Sequence, residues 1–146
     1  MHPAYSVIFF TTASGAGYGM LVWLAILAAT NAVSPSLASG VTIFVVALGL
    51  ITSGLLSSTF HLGHPERAWR ALSQWRSSWL SREGIAAIVT YAPIILLAYC
   101  WVYWGEKAKT LEIWALLTAL GAFVTVYCTG MIYRSLKTIH QWHNDW

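Results

Sequence analysis

The sequence predicts an all-α polytopic membrane protein, a bundle of about four transmembrane helices, and three observations carry that reading. Hydrophobic residues make up 58% of the 146 positions and charged residues only 9%. A soluble domain carries roughly 25% charged residues, so most of this surface faces something other than water. From Met1 to Pro65 there is no Lys, Arg, Asp or Glu, which is neutral chain enough for two bilayer crossings at about 20 residues each. Finally, the apolar residues come in long runs, whereas a β-barrel requires alternating stretches of about ten residues.

The first span covers about Val7–Thr30. No basic n-region precedes it and no A-x-A-like site closes it, so it reads as a span and not as a signal peptide. Asn31–Ser39 (NAVSPSLAS) is a turn built from Pro, Ser and Asn. The second span covers about Val41–Phe60. Leu62–Glu83 has a different composition, with four Arg and three Trp in 22 residues. Pro65 stops the second helix from running on, and Glu66 opens a short polar helix. Ser81 is a candidate N-cap for the third span, about Ile85–Trp104. Gly105–Thr110 (GEKAKT) is a second short turn, followed by the fourth span, about Leu111–Tyr133, with Glu112 at its margin. The tail after Tyr133 is polar. Residues 1–146 thus read as one transmembrane domain whose charges lie in the connections and the tail, with 62–83 as an interfacial Arg/Trp loop.

Orientation follows from the basic residues. Arg67, Arg70, Arg76, Arg82, Arg134 and Lys137 lie on the side of the N-terminus, and Lys107 and Lys109 on the other. The positive-inside rule places both termini and the 62–83 loop in the cytoplasm. Small residues predict how the helices pack. Gly49, Ser53 and Ser57 recur every four residues and share a face of the second span; Gly15 and Gly19 repeat that spacing in the first. Thr118 with Ala122, and Gly121 with Thr125 and Thr129, offer similar faces in the fourth. Ordinary bundle packing accounts for nearly all of these positions.

Few residues remain for chemistry. His61 continues the Gly49/Ser53/Ser57 spacing, which predicts that it points into the bundle near the membrane boundary. An ionisable group there is a functional candidate, able to exchange a proton with a quinone or quinol at neutral pH. The alternative is an interfacial His bonded to a backbone carbonyl. Trp69, Trp75 and Trp79 beside Arg67, Arg70 and Arg76 read equally as an aromatic belt with lipid-binding arginines or as a protein-docking surface. His140 and His143 invite a haem or metal reading, but they lie beyond the fourth span, where a membrane haem does not take its axial ligands. Cys100 and Cys128 fall in apolar runs and read as buried small hydrophobes without metal-type spacing. No Ser-His-Asp arrangement, paired carboxylates or phosphate-cradling loop is present. Basic residues are few and next to membrane spans, which argues against nucleic-acid binding.

The run Phe60-His61-Leu62-Gly63-His64-Pro65-Glu66-Arg67-Ala68-Trp69, with Ser73 and then Ser78-Trp79-Leu80-Ser81-Arg82-Glu83, resembles the signature of the DmsC family, the membrane anchors of dimethyl sulfoxide reductase and related molybdoenzymes. Met131-Ile132-Tyr133-Arg134-Ser135-Leu136, followed by Gln141-Trp142, is similar to that family's exit from its fourth helix. The opening His2-Pro3-Ala4-Tyr5-Ser6-Val7-Ile8-Phe9-Phe10 resembles the sulfite-dehydrogenase branch. The resemblance implies an anchor domain partnered by a molybdopterin catalytic subunit and a four-cluster, ferredoxin-like iron–sulfur subunit. It implies exchange of electrons with membrane quinone, menaquinone or ubiquinone, and no bound metal in the anchor itself. It places quinone binding at His61, with Arg67 and Ser57 beside it, and subunit docking on Arg67, Trp69, Arg70, Trp75, Arg76 and Trp79. It also implies about eight helices, of which this chain holds the first four. A purely structural anchor and a haem-b electron carrier are the alternatives. The cytoplasmic placement of the Arg/Trp loop agrees with the sulfite-dehydrogenase branch, in which electrons run from sulfite to quinone.

Overall fold

In a computed structural model that describes residues 5–59, 64–105 and 110–135, the chain forms four long helices: α1 (Tyr5–Ala29), α2 (Leu37–Thr59), α3 (Trp79–Tyr99) and α4 (Leu111–Arg134). A 3-10 helix, Pro65–Gln74, precedes α3, and a π-helical turn, Cys100–Trp104, extends it. All four long helices are long and apolar enough to cross a membrane, the third over Trp79–Trp104. This is the expected multi-pass helical architecture, because inside a bilayer a helix satisfies its own backbone groups.

The helices alternate in direction. α1 packs on both α2 and α4, and α4 packs on α3, whereas α2 meets α3 at few points. Two glycines let α1 and α2 approach closely. A Cβ on Gly17 would lie 2.7 Å from the Ala47 carbonyl oxygen, and one on Gly54 would lie 3.1 Å from the Phe10 carbonyl oxygen. Gly121 does the same between α4 and α3, where a Cβ would meet the Thr90 hydroxyl at 2.6 Å. The α2 face turned inward is therefore Gly40, Phe44, Ala47, Ile51 and Gly54. This corrects the expected packing faces: Gly49 and Ser53 are exposed, and an added Cβ at Gly15, Gly19 or Gly49 meets nothing within 4 Å. The fourth span matches expectation more closely, since Thr118, Ala122 and Thr125 are all buried.

The start of α3 is a second correction. Ser78, not Ser81, is the N-cap; its hydroxyl accepts from the Ser81 amide, so the helix begins at Trp79, six residues before Ile85. Ser81 lies inside the first turn, and its hydroxyl donates 3.0 Å to the Leu72 carbonyl of the 3-10 helix. Arg82 reaches back the same way, donating to the carbonyls of Trp75 (2.9 Å) and Arg76 (2.8 Å) while its guanidinium stacks 4.3 Å from the Trp79 ring centroid. Leu72 covers Gly84. The interfacial segment is thus latched onto the first turns of α3. As a consequence, Arg82 and Glu83 belong to a long helix, not to a connection.

Candidate functional site

The site is built where α1, α3 and α4 meet near the Arg/Trp segment. On α3 the buried positions Glu83, Ala87, Thr90, Ile94 and Leu97 follow helical spacing, which turns Glu83 into the bundle. Its side chain is 3% exposed, and the Thr129 hydroxyl of α4 donates to one carboxylate oxygen. Burying a carboxylate in an apolar medium is costly without such donors. Arg82, its neighbour in sequence, is turned away toward the 3-10 helix. The carboxylate therefore sits inside the bundle one residue from a cation that stays at its edge.

Around Glu83 the interior is hydroxylic. Ser14, Thr90 and Thr125 are buried, and each donates to the carbonyl one turn earlier in its own helix: Ser14 to Phe10 at 2.6 Å, Thr90 to Ala86 at 2.6 Å and Thr125 to Gly121 at 2.9 Å. Such back-bonding lets a hydroxyl occupy an apolar interior. Thr90 and Thr125 face each other across α3 and α4 at 3.5 Å. The Tyr18 hydroxyl is buried and reaches toward Thr125, while that of Thr118 is buried without a hydrogen-bond partner among the described residues. Together these groups can hold a proton-accepting carboxylate, and a set of hydroxyl donors, in a setting largely closed to water.

His61 lies outside the described residues, as do His2, His140 and His143. Gly49 and Ser53, whose spacing His61 continues, are exposed on the outer surface. Ser57 donates 3.1 Å to the Ser6 carbonyl and so ties the end of α2 to the start of α1. Arg67 is exposed on the 3-10 helix with its Nε 3.8 Å from Glu66, which also meets His64 at 3.0 Å. Trp69 and Trp75 are 66% and 53% exposed and are flanked by Arg70 and Arg76, whose guanidinium carbons lie 5.5 and 5.3 Å from the respective ring centroids. Trp79 differs from these two: it packs edge-on against Tyr127 of α4, with centroids 6.1 Å apart. The Arg/Trp surface and the buried carboxylate are consecutive along the chain, joined by the Ser81/Arg82 latch.

Glu83 is the residue that sequence reasoning passes over. A signal for it exists: stepping back from Thr90 and Ala87 at helical spacing lands on Glu83, and Ser78 is as good a capping residue as Ser81.

Comparison with known proteins gives a consistent picture. The whole sequence, residues 1–146, matches the family described as DMSO reductase anchor subunit (DmsC). It is 39% identical over 160 residues to the C subunit of the sulfite dehydrogenase of Allochromatium vinosum, covering 98% of this sequence and 48% of that protein. It is 29% identical over 105 residues to the C subunit of the anaerobic dimethyl sulfoxide reductase of Haemophilus influenzae, covering 70% of this sequence and 36% of that protein. The protein therefore spans about half, or less, of the length of these curated relatives. No solved structure matches it. With the family matching from the first residue to the last and four membrane-spanning helices beneath it, the chain belongs to the DmsC family of DMSO reductase anchor subunits.

Proposed function

We propose that the protein is the membrane anchor of a molybdopterin oxidoreductase complex and exchanges electrons between an iron–sulfur subunit and membrane quinone. The observation that carries this reading is Glu83, a carboxylate 3% exposed inside a membrane bundle, one residue from the latch that holds the Arg/Trp surface. Reduction of a quinone to a quinol takes two electrons and two protons. A buried carboxyl group next to a subunit-docking surface can, once protonated, hand a proton to the quinone where electrons arrive and regain one from the aqueous edge of the bundle. Ionisable groups inside membrane spans are functional by default, because an idle one only costs stability.

In this reading Arg67, Trp69, Arg70, Trp75 and Arg76 dock the four-cluster iron–sulfur subunit, which carries electrons from the molybdopterin subunit. Exposed Trp and Arg are the side chains most enriched at interface hot spots. His61, with Arg67 and Ser57, completes the quinone end. Kinship to a sulfite dehydrogenase subunit and the excess of Arg on the side of the 62–83 loop favour a cytoplasmic, sulfite-oxidising complex of the bacterial inner membrane over a dimethyl sulfoxide-reducing one.

A gentle detergent pull-down of the native tagged protein tests the assembly. The expected result is co-purified iron and molybdenum without a haem band in the redox difference spectrum. A haem band, or a protein that emerges from its native membrane alone and metal-free, contradicts it. In the assembled complex, intact quinone-coupled turnover after His61→Ala removes the proton role assigned to that residue.

A further inference from the structure

The 3-10 helix before α3 carries a row of cations that the fold leaves unanswered. Residues three apart eclipse in such a helix, so Arg67, Arg70 and Ser73 stand in one column. Ser73 donates 2.7 Å to the Arg70 carbonyl within it. Trp75 keeps helical angles, φ −59° and ψ −24°, which carries Arg76 on at the next step of the same column. Among the described side chains of this helix, the half-buried ones are Ala68 and Leu72. They lie one column to either side of the arginines, and Leu72 rests against Gly84 of α3. Together they mark the inward side. The arginine column is diametrically opposite, and all of its members are exposed.

The three Arg–Trp pairs of this region are not alike. Arg82 stacks on Trp79 but spends its N–H groups on the Trp75 and Arg76 carbonyls, and Trp79 itself packs on Tyr127. Arg70 and Arg76 lie over Trp69 and Trp75, yet among the described residues neither guanidinium makes a hydrogen bond or an ion pair. Glu66 is engaged by His64 and Arg67, so the charge left over is that of Arg70 and Arg76. A guanidinium held flat on a ring keeps its edge donors free for a carboxylate or a phosphate. Lipid phosphate calls for charge alone, whereas here each free cation is backed by an exposed Trp, the pairing most enriched at protein interfaces. The spans also have their own aromatic pair for the membrane surface, Trp79 with Tyr127. An anchor subunit, as this family is described, needs such a surface for its partner. We infer that the partner presents an acidic surface, whose carboxylates pair with Arg70 and Arg76 while Trp69 and Trp75 supply the apolar contacts. This rests on the docking reading proposed above. It adds a division of labour: the arginines steer and orient the approach, and the tryptophans set how long the complex lasts.

The test follows rebinding of the soluble subunits, released from the native complex, to the full chain in nanodiscs. One set of discs holds zwitterionic lipid alone and the other adds phosphatidylglycerol. The association rate is expected to fall at least about tenfold between low and physiological salt. Arg70→Glu combined with Arg76→Glu should slow association at least about tenfold in both sets of discs. Lysines placed at the partner carboxylates that the native chain shields from carbodiimide should restore it. Trp69→Ala should instead speed dissociation at least about tenfold at an unchanged association rate. If the glutamate variant loses the wild-type melting temperature, Arg70→Gln with Arg76→Gln decides, through loss of the salt dependence. Binding that ignores salt and the arginine variants, but is lost in Trp69→Ala with Trp75→Ala, overturns the acidic partner and leaves the docking reading standing. A defect of the arginine variants confined to discs with phosphatidylglycerol also overturns it, and assigns these arginines to lipid. Wild-type binding by a chain carrying all four substitutions overturns both readings.

Discussion

The two ends of the bundle are built from different chemistry. Around the Gly105 turn the interior is closed by apolar contact: Leu24, Phe44, Leu97, Trp101, Leu111 and Ala115 are all buried. Trp101 is 1% exposed, meets Phe44 edge-on at 6.4 Å and directs its indole N–H to the Ser39 hydroxyl at 3.4 Å. Near the Arg/Trp segment the interior instead holds Glu83, Ser14, Thr125 and Thr129, with a cleft alongside. One end fixes how the helices cross. The other gives up apolar burial to hold groups that need a partner. Changes at the first end should therefore act on stability, and changes at the second on chemistry.

The largest effect on stability belongs to the apolar end. Trp101→Ala removes the largest fully buried side chain and is expected to cost about 3–5 kcal/mol, seen as a lower melting temperature in detergent, while the fraction that remains folded binds quinone as before. A binding defect in that folded fraction would break the division between the ends. Next comes the α1–α2 seam. Gly17→Ala pushes a methyl to 2.7 Å from both the Ala47 carbonyl oxygen and Ile51 Cγ1. It should destabilise by about 1–3 kcal/mol, the usual cost of overpacking, whereas Gly15→Ala two residues away should leave the melting temperature unchanged. The pair sharpens the comparison, since one glycine serves the fold and the other lines the cleft.

That pair also marks what the sequence can and cannot tell. The number of spans, the turn before α2 and the short helix after Pro65 are legible, because charge, Pro and Gly punctuate a membrane sequence sharply; most of the expected Gly105–Thr110 turn lies outside the described residues. The registers of α1 and α2 are not. These helices are apolar on every side, so no polar face reveals which side is inward, and small residues occur at four-residue spacing on outer and inner faces alike. Gly15/Gly19 and Gly49/Ser53 are the more regular patterns, yet Gly17, Ala47 and Gly54 make the contacts. On α4, where Thr118, Ala122 and Thr125 align, the inward face is readable. Glu83 is hidden for another reason. Beside Arg82 it looks like part of a charged loop, and only the return of Arg82 to the Trp75 and Arg76 carbonyls separates the two.

The smallest stability effect concerns that return. Arg82→Ala deletes two hydrogen bonds to backbone carbonyls and a ring contact at a partly exposed site. The expected cost is about 1–2 kcal/mol, confined to the interfacial segment. Hydrogen exchange should quicken for amides between 66 and 77 and stay unchanged in α1 and α4. Quickening throughout the bundle would mean that the latch holds the whole fold.

The most direct test of the central claim is Glu83→Gln in the native membrane complex, assayed with sulfite and with dimethyl sulfoxide, once through the quinone pool and once through a soluble redox dye. Gln keeps the shape and can still accept from Thr129, so assembly and melting temperature should hold. Quinone-coupled turnover is expected to fall at least about tenfold, equivalent to about 1.4 kcal/mol of barrier, while dye-coupled turnover is retained. Quinone-coupled turnover equal to wild type in a complex that is fully assembled would contradict it and make Glu83 a structural carboxylate.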